Sequence, residues 1–542
     1  MSGTSRAGEH GERPLSVLSA SLIALAVGIA LLTRLGGALG YADFYGDQAR
    51  DAFRLVDIGH GAWPTLGPET SLASYRLPPL YYDLIAPAAL VPAMPALQAL
   101  PNAIFSIASV ALVYLVVLRL LSGAPAPRRR LIAALSALWW SVTFVDVFIA
   151  NREWNPGPIP CLLLALVLLW SRQADPERTP ADRVATAAGI GIALALVVSA
   201  HSSTLFVVPV AFVVMSIVHA ASGRGRWVEP ALSLAVAALA LAPYWIGDSA
   251  RGWANTHAMI GTILEGGGKA AMGSANAGPA AQLRNAFFGY TGAVGQFVAP
   301  QVPALLRKAL VAAWIVLPFA ALRGYRGDRR ALLALAVIWA AYLFAAAHVA
   351  AIYPHFRLPL AFAAILMTAV VLGTASATRT HRAMVAACAV FAAVSFAANI
   401  RVDSAFLTSK FGPHRLPTPH DVALALQRVP ATQRVCEVHD LYDDWLAQRY
   451  LDAYVAHAPH AFTTQCRAND YLVLPRYRYA NETREEYETT DYRVVDLDAR
   501  TIPARAGYSA TLKPAAVAVT PQMQVVRLRA ALAPKAQIGT AQ

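Results

Sequence analysis

From Leu15 to Leu35 the chain is predominantly apolar, and runs of comparable length recur as far as Ala398. A helix needs about 20 such residues to cross a bilayer. Taken with the basic loops between them, the runs predict about eleven spans. The basic turns are Arg128 to Arg130, Arg172 with Arg178 and Arg183, Arg224 with Arg226, Arg323 to Arg330, and Arg379 with Arg382. One follows every second span, which predicts that these turns and the N-terminus are cytoplasmic. The extracytoplasmic side then receives a first loop whose working part is 36–78, the turn Asn151 to Pro158, His201, and a long loop 248–303. It also receives the turn Tyr353 to Arg357 and everything after about Arg401.

Beyond Ala398 the pattern changes. Pro, His, Asp and Arg become frequent, and the periodicity predicts helices over Asp421 to Val429 and Tyr442 to His457. Strands are predicted over Arg434 to Val438, Tyr471 to Leu474 and Tyr492 to Leu497, and near Ala516 and Val525. The expectation is an all-α polytopic membrane core, 1–402, followed by a small extracytoplasmic α/β domain, 403–542. No internal repeat is evident.

Composition agrees with this division: 57% of the 542 residues are hydrophobic, 14% are charged, and mean hydropathy is +0.46. The net charge of +13 and pI near 9.7 would suggest nucleic acid in a soluble protein. Here the excess sits in short loops between apolar runs, so positive-inside topology explains it and no nucleic-acid partner is expected. No A-x-A-like cleavage site follows the first run, which is expected to remain as the first helix of a bacterial inner-membrane protein. Of four cysteines, Cys161 and Cys388 fall in apolar runs and read as packing residues. Cys436 and Cys466 lie in the exported tail and are a candidate disulfide. No Cys/His metal spacing occurs, and carboxylates alone leave the question of a divalent metal open.

Charge is scarce, so its placement is informative. The stretch YADFYGDQARDAFRLVD, directly after the first run, sets Asp43, Asp47, Asp51 and Asp57 beside Arg50 and Arg54. A helix over Asp47 to Val56 would gather Asp47, Arg50, Asp51 and Arg54 on one face, at i, i+3, i+4 and i+7. On the same side fall LGPETSLASYRLPPLYYDL from Leu66, ANREWNPGPIP from Ala150, SAHSS around His201, LAPYWIGDSARGWANTH from Leu241, and YPHFRLP from Tyr353.

In order and spacing, the GDQARDA, LGPETS, PPLYY and REWNP segments resemble those of glycosyltransferase family 39. This group within the GT-C superfamily includes bacterial protein O-mannosyltransferases and aminoarabinose transferases. The resemblance covers roughly the first 400 residues. It implies a GT-C fold and a transferase that moves a sugar from a polyprenyl-phosphate donor to a glycan, lipid or protein acceptor outside the cytoplasm. It places Asp47 at the family's catalytic carboxylate and Arg50 at its phosphate-binding arginine. At two positions the chain departs from the pattern. Leu77, with Arg76 one step earlier, stands where a basic residue precedes Pro-Pro, and Gln48 replaces the acidic neighbour of the catalytic carboxylate.

The chemistry is consistent with those residue types. A carboxylate within hydrogen-bond reach takes the proton of an attacking hydroxyl, and guanidiniums bind a departing lipid phosphate through a planar, permanently charged fork. A single direct displacement inverts the anomeric centre. Asp51 joins Asp47 as a candidate catalytic residue, orienting Arg50 or Arg54. Candidates for donor contacts are Arg76, Arg152, Glu153, His201, Asn255, His257, His355 and Arg357. The glycine-rich piece 265–278 reads as a lid, and Arg307 with Lys308 as a lipid-phosphate contact. Two rival readings stay open: a polyprenyl-lipid flippase or transporter, and a GT-C scaffold without catalysis.

Overall fold

A computed structural model describes residues 9–41, 44, 46–70, 75–175, 177–222, 227–264, 280–281, 284, 303, 325, 327–348, 354–374, 379–413, 417–438, 449–457, 460–463, 467–479, 494–496 and 516–529. Among these, five helices are long and apolar enough to cross a membrane: Leu15–Gly40, Pro95–Leu120, Pro180–Ala200, Ser202–Ala221 and His381–Thr408. Two bent pairs, α6 (Ala126–Ser141) with α7 (Phe144–Ala150) and α11 (Val228–Ala240) with α12 (Ala242–Ser249), raise the number to seven if each is one span. The expectation of about eleven is therefore met in part. The apolar helices Ile159–Arg172 and Leu358–Gly373 are shorter; prolines at 158, 160 and 359 lie at or near their starts, which run-length counting ignores. The run 304–324 lies outside the described residues.

The first span does not continue straight into the loop. After α1 (Glu9–Ala30) the chain makes a π-helical turn, Leu31–Leu35, before α2 (Gly36–Tyr41). Such a turn holds an extra residue and re-aims the side chains on it, and here Arg34 is fully buried. Its guanidinium donates to the Asp146 carboxylate at 2.7 Å, the Ser106 hydroxyl at 2.5 Å and the carbonyls of Ser141 at 2.7 Å and Trp140 at 3.3 Å. Those carbonyls end α6, where the helix leaves its last C=O groups without intrahelical partners and the chain bends by 56° into α7. One cation thus covers the break and balances the acid beyond it.

Polar side chains tie neighbouring helices together across the apolar core. Trp140 donates to Ser109 on α5 (Leu100–Leu120) at 2.6 Å, while Trp139 donates to Ser395 at 2.9 Å on the helix Arg379–Phe411. Asn399 on that helix accepts from the Phe144 amide at 2.8 Å. Each such bond between membrane helices contributes about 0.6–2 kcal/mol. Together they fix the position of α7, and α7 leads directly to the turn at Asn151.

The loop helix α3 (Gly46–Gly59) is clamped from two sides. Leu55 and Ile58 pack on Tyr81, Tyr82 and Ile85 of α4 (Leu80–Ile85). On its other side Phe44, Ala49, Ala52 and Val56 join a second core made by the C-terminal residues, including Val422, Leu426, Tyr450, Leu451, Val473 and Val525. Phe53 meets Tyr450 edge-on at 5.2 Å, and the Tyr450 hydroxyl donates to the Pro92 carbonyl at 2.9 Å. The C-terminal part contains the helix Pro419–Leu426, which Thr418 and Asp421 start with a capping box, and a sheet. In chain order its strands are β1 (Arg434–Val438), β2 (Ala461–Phe462), β3 (Tyr471–Pro475), β4 (Tyr477–Tyr479), β5 (Val494–Asp496), β6 (Ala516–Ala518) and β7 (Met523–Arg527). Five of them form a mixed sheet of order β2-β1-β3-β7-β6, and β4 pairs with β5. Of the segment expected as the helix Tyr442 to His457, the described part includes a π-helical turn, Leu451–Ala456.

Candidate active site

Asp47 stands in the first turn of α3, where the helix N-terminus favours negative charge. Its side chain is 52% exposed and accepts from Arg50 Nη1 at 2.9 Å. The same guanidinium reaches inward, donating Nε to Asp51 Oδ1 at 2.8 Å and Nη2 to Asp51 Oδ2 at 2.9 Å. Asp51 is buried, and the Tyr82 hydroxyl donates to its Oδ1 at 2.8 Å. Burial pushes Asp51 above the usual carboxylate range, with Arg50 and Tyr82 opposing it. For Arg50, burial disfavours the cation, but the hydrogen bonds and charge of Asp51 outweigh this and raise its pKa. Arg50 is therefore a permanently charged fork strung between an exposed acid and a buried one. Arg54 takes no part, since it pairs with Asp57 at 3.1 Å.

The turn after α7 comes up beside this helix. Gln48, which fills the place of the expected acidic neighbour, donates Nε2 to the Glu153 carbonyl at 2.6 Å. Glu153 is buried; its Oε1 accepts from the Tyr81 hydroxyl, and its Oε2 has no hydrogen-bond partner among the described residues. Burial, and then the charge of Asp51, raise the Glu153 carboxyl well above its ordinary range. Adjacent tyrosines on α4 serve the two acids, Tyr81 on Glu153 and Tyr82 on Asp51. Beneath them Asn102 donates to the carbonyls of Arg152 at 2.9 Å and Trp154 at 2.7 Å. The Arg152 guanidinium is buried over the Phe148 ring, 3.8 Å from its centroid.

Other expected residues are placed differently. Arg76 pairs with Glu69 across a short hairpin. Asn255, a sugar candidate from sequence, uses its carboxamide on the Arg76 backbone and on Tyr244. His257 is exposed on α13 (Ala254–Leu264). His201 caps the helix Ser202–Ala221, its Nδ1 accepting from the Ser203 amide at 3.1 Å. That bond requires an unprotonated Nδ1, and burial lowers the histidine's pKa, so it brings no positive charge to a phosphate. His355 and Arg357 lie in the first turns of the helix Pro354–Gly373, and Cys436 lies in β1. The side chains of these three are outside the described residues, as are Asp43, Cys466, Arg307, Lys308 and the stretch 265–278. Among the described residues no group of three His, Cys, Asp or Glu is arranged to hold a metal ion.

No family model matches the chain, and no curated protein does. Among solved structures it is similar to ArnT from Cupriavidus metallidurans bound to undecaprenyl phosphate, with a TM-score of 0.49 and 12% identity over 93% of this chain and 97% of that one. It is also similar to the archaeal oligosaccharyltransferase AglB from Archaeoglobus fulgidus in complex with an inhibitory peptide and a dolichol-phosphate. There the TM-score is 0.45 and the identity 13%, over 84% of this chain and 69% of that one.

Tyr81, Tyr82 and Asn102 were not legible as site residues in the sequence. The signal was a hydroxyl pair and an amide inside otherwise apolar stretches, which reads equally as packing. Gly157 gives a direct check on this turn. A Cβ there would run into the Asn102 carboxamide, which is pinned by its two carbonyl partners. Gly157→Ala is expected to destabilise the protein by about 1–3 kcal/mol, read as a lowered thermal midpoint in detergent micelles.

Proposed function

We propose that the protein is an integral membrane glycosyltransferase that moves a sugar from a polyprenyl-phosphate donor to a glycan, lipid or protein acceptor on the extracytoplasmic face. Asp47 is the general base. The acceptor O–H gives its proton to the Asp47 carboxylate as its oxygen attacks the anomeric carbon. The bond from that carbon to the phosphate oxygen breaks, and the electron pair leaves with the lipid phosphate. Arg50 binds the departing charge, with Arg76 and Arg357 as further cations. Displacement from the opposite side inverts the anomeric configuration. A prenyl chain stays in the bilayer, so a site on the first loop, immediately after the first span, meets its phosphate at the interface.

The observation that carries this reading is the Asp47–Arg50–Asp51 relay. A half-exposed carboxylate, available to a hydroxyl, shares a guanidinium with a buried carboxylate that holds the fork in place. A guanidinium anchored from beneath is pre-oriented for a phosphate above it, which lowers the ordering cost of binding. Burial and the neighbouring charge of Asp51 disfavour a second negative charge on Glu153, which would otherwise repel that phosphate.

The test is donor turnover by the full-length protein in proteoliposomes carrying a labelled polyprenyl-phosphate sugar and a mixed pool of envelope acceptors. Transfer with release of polyprenyl phosphate is expected. Movement of the lipid between leaflets without transfer would replace this reading with a transporter, and binding with neither would leave a scaffold.

A further inference from the structure

We infer that Asn255 is a positioning residue that locks the first-loop hairpin onto the α12–α13 elbow and so holds Arg76 in place. The inference rests on the phosphate-binding role proposed above for Arg76. The hairpin is built from residues 67–70 and 75–77: the Gly67 amide donates to the Leu77 carbonyl at 2.7 Å, the Leu77 amide to the Pro68 carbonyl at 3.0 Å, and Thr70 Oγ1 to the Tyr75 carbonyl at 2.9 Å. Arg76 has its own N–H and C=O on the outer edge of this small ladder, facing away from Glu69's strand. An edge of this kind normally takes a further strand or water. Here one side chain satisfies both groups. Asn255 Oδ1 accepts from the Arg76 amide at 2.7 Å, and its Nδ2 donates to the Arg76 carbonyl at 3.0 Å.

The carboxamide is itself held. Its second Nδ2 hydrogen goes to the Tyr244 hydroxyl at 3.0 Å, and that hydroxyl also meets Thr256 Oγ1 at 3.1 Å. Asp248 accepts from the amides of Asn255 at 3.0 Å and Thr256 at 2.9 Å and from the Thr256 hydroxyl at 2.6 Å. The chain reaches this arrangement through Gly252 and Trp253, both in the left-handed region at φ 65° and 62°. A second tie lies alongside, where Arg251 donates to Thr65 at 3.0 Å and Gly247 packs closely on the same threonine. Asn255 is buried, so this interaction is shielded from competing water. A side chain that completes both hydrogen-bonding groups of one residue fixes that residue's backbone rather than its charge. Arg76 is thereby left with its guanidinium as the movable part, and Glu69 as the partner that a phosphate would displace.

The experiment uses the full-length protein in lipid nanodiscs, with amide hydrogen exchange over residues 75–77 and the affinity for polyprenyl phosphate measured on the same samples. Asn255→Ala is expected to speed exchange at the Arg76 amide and to weaken polyprenyl phosphate binding about tenfold, roughly one lost charge-assisted contact. In an Arg76→Ala background the same substitution is expected to cost no further affinity. Unchanged exchange in Asn255→Ala overturns the lock, and an equal loss of affinity with and without Arg76 overturns the positioning role. If Arg76→Ala alone leaves affinity unchanged, the phosphate role of Arg76 falls and the positioning role with it, whereas faster exchange in Asn255→Ala would still uphold the lock. Asn255→Asp keeps the acceptor and loses the donor; it serves as the milder variant should Asn255→Ala not fold, with the same non-additivity and a smaller loss expected.

Discussion

Asp47→Asn is expected to lower sugar transfer by about 10²–10⁴-fold while leaving the affinity for the lipid donor within a small factor of wild type. The substitution preserves shape and still offers Arg50 a carbonyl oxygen at the first turn of α3, so the guanidinium stays clamped by Asp51 through its two inward bonds. What disappears is the atom that accepts the acceptor's proton. The loss should therefore fall on the turnover rate rather than on the Michaelis constant for donor. Arg50→Ala should show the opposite emphasis, with donor affinity falling first, because it removes the phosphate's partner and leaves Asp51 buried beside only a tyrosine hydroxyl. An Asp47→Asn protein that transfers sugar at the wild-type rate would remove the proposed base and, with it, the reason to read α3 as catalytic.

The helix bearing these residues was legible because charge is rare in this chain and its spacing is helical. Asp47, Arg50, Asp51 and Arg54 were expected on one face of a helix, and all four lie on α3. The sequence could not say how that face divides. Tyr82 draws Asp51 inward, Asp47 stays in solvent, and Arg54 turns to Asp57. These outcomes depend on α4, whose arrival is a long-range event. The same limit applies to Asn255. A polar residue in an external loop reads as a ligand contact, yet its partner is a main chain 179 positions earlier.

Composition placed the change of character near Ala398, and the strands expected over Arg434 to Val438 and Tyr471 to Leu474 coincide with β1 and β3 within a residue. Composition is silent on where a domain finds the rest of its core. The alanines of α3 look like neutral spacers in the sequence, but Ala49 and Ala52 are fully buried because they let the C-terminal helix and Tyr450 approach closely. α3 is consequently a shared wall between α4 and the C-terminal core. Disturbing either neighbour should move Asp47.

Arg34→Met should destabilise the protein by about 3–5 kcal/mol, the largest stability effect expected of any substitution away from the loop. The guanidinium is wholly buried and provides the charge partner of Asp146; removing it leaves a carboxylate in the apolar bundle with only the Ser106 hydroxyl as donor. A second acid lies nearby. Asp403 is buried within electrostatic reach of both Arg34 and Asp146, and neither of its carboxylate oxygens has a hydrogen-bond partner among the described residues. Adding Asp146→Asn to Arg34→Met should recover part of the lost stability, because the neutral amide tolerates burial. Recovery should be incomplete, since the carbonyls at the end of α6 remain without their donor. Thermal midpoints in detergent for the two single variants and the double variant give the coupling directly. Transfer assayed well below those midpoints tests the link to function. The bend that Arg34 stabilises sets the direction of α7, and α7 delivers Glu153 to Tyr81, so the single variant should lose activity even while folded. Equal stability of Arg34→Met and wild type would mean that the buried acids are neutral without it, and that the bend stands on its apolar packing alone.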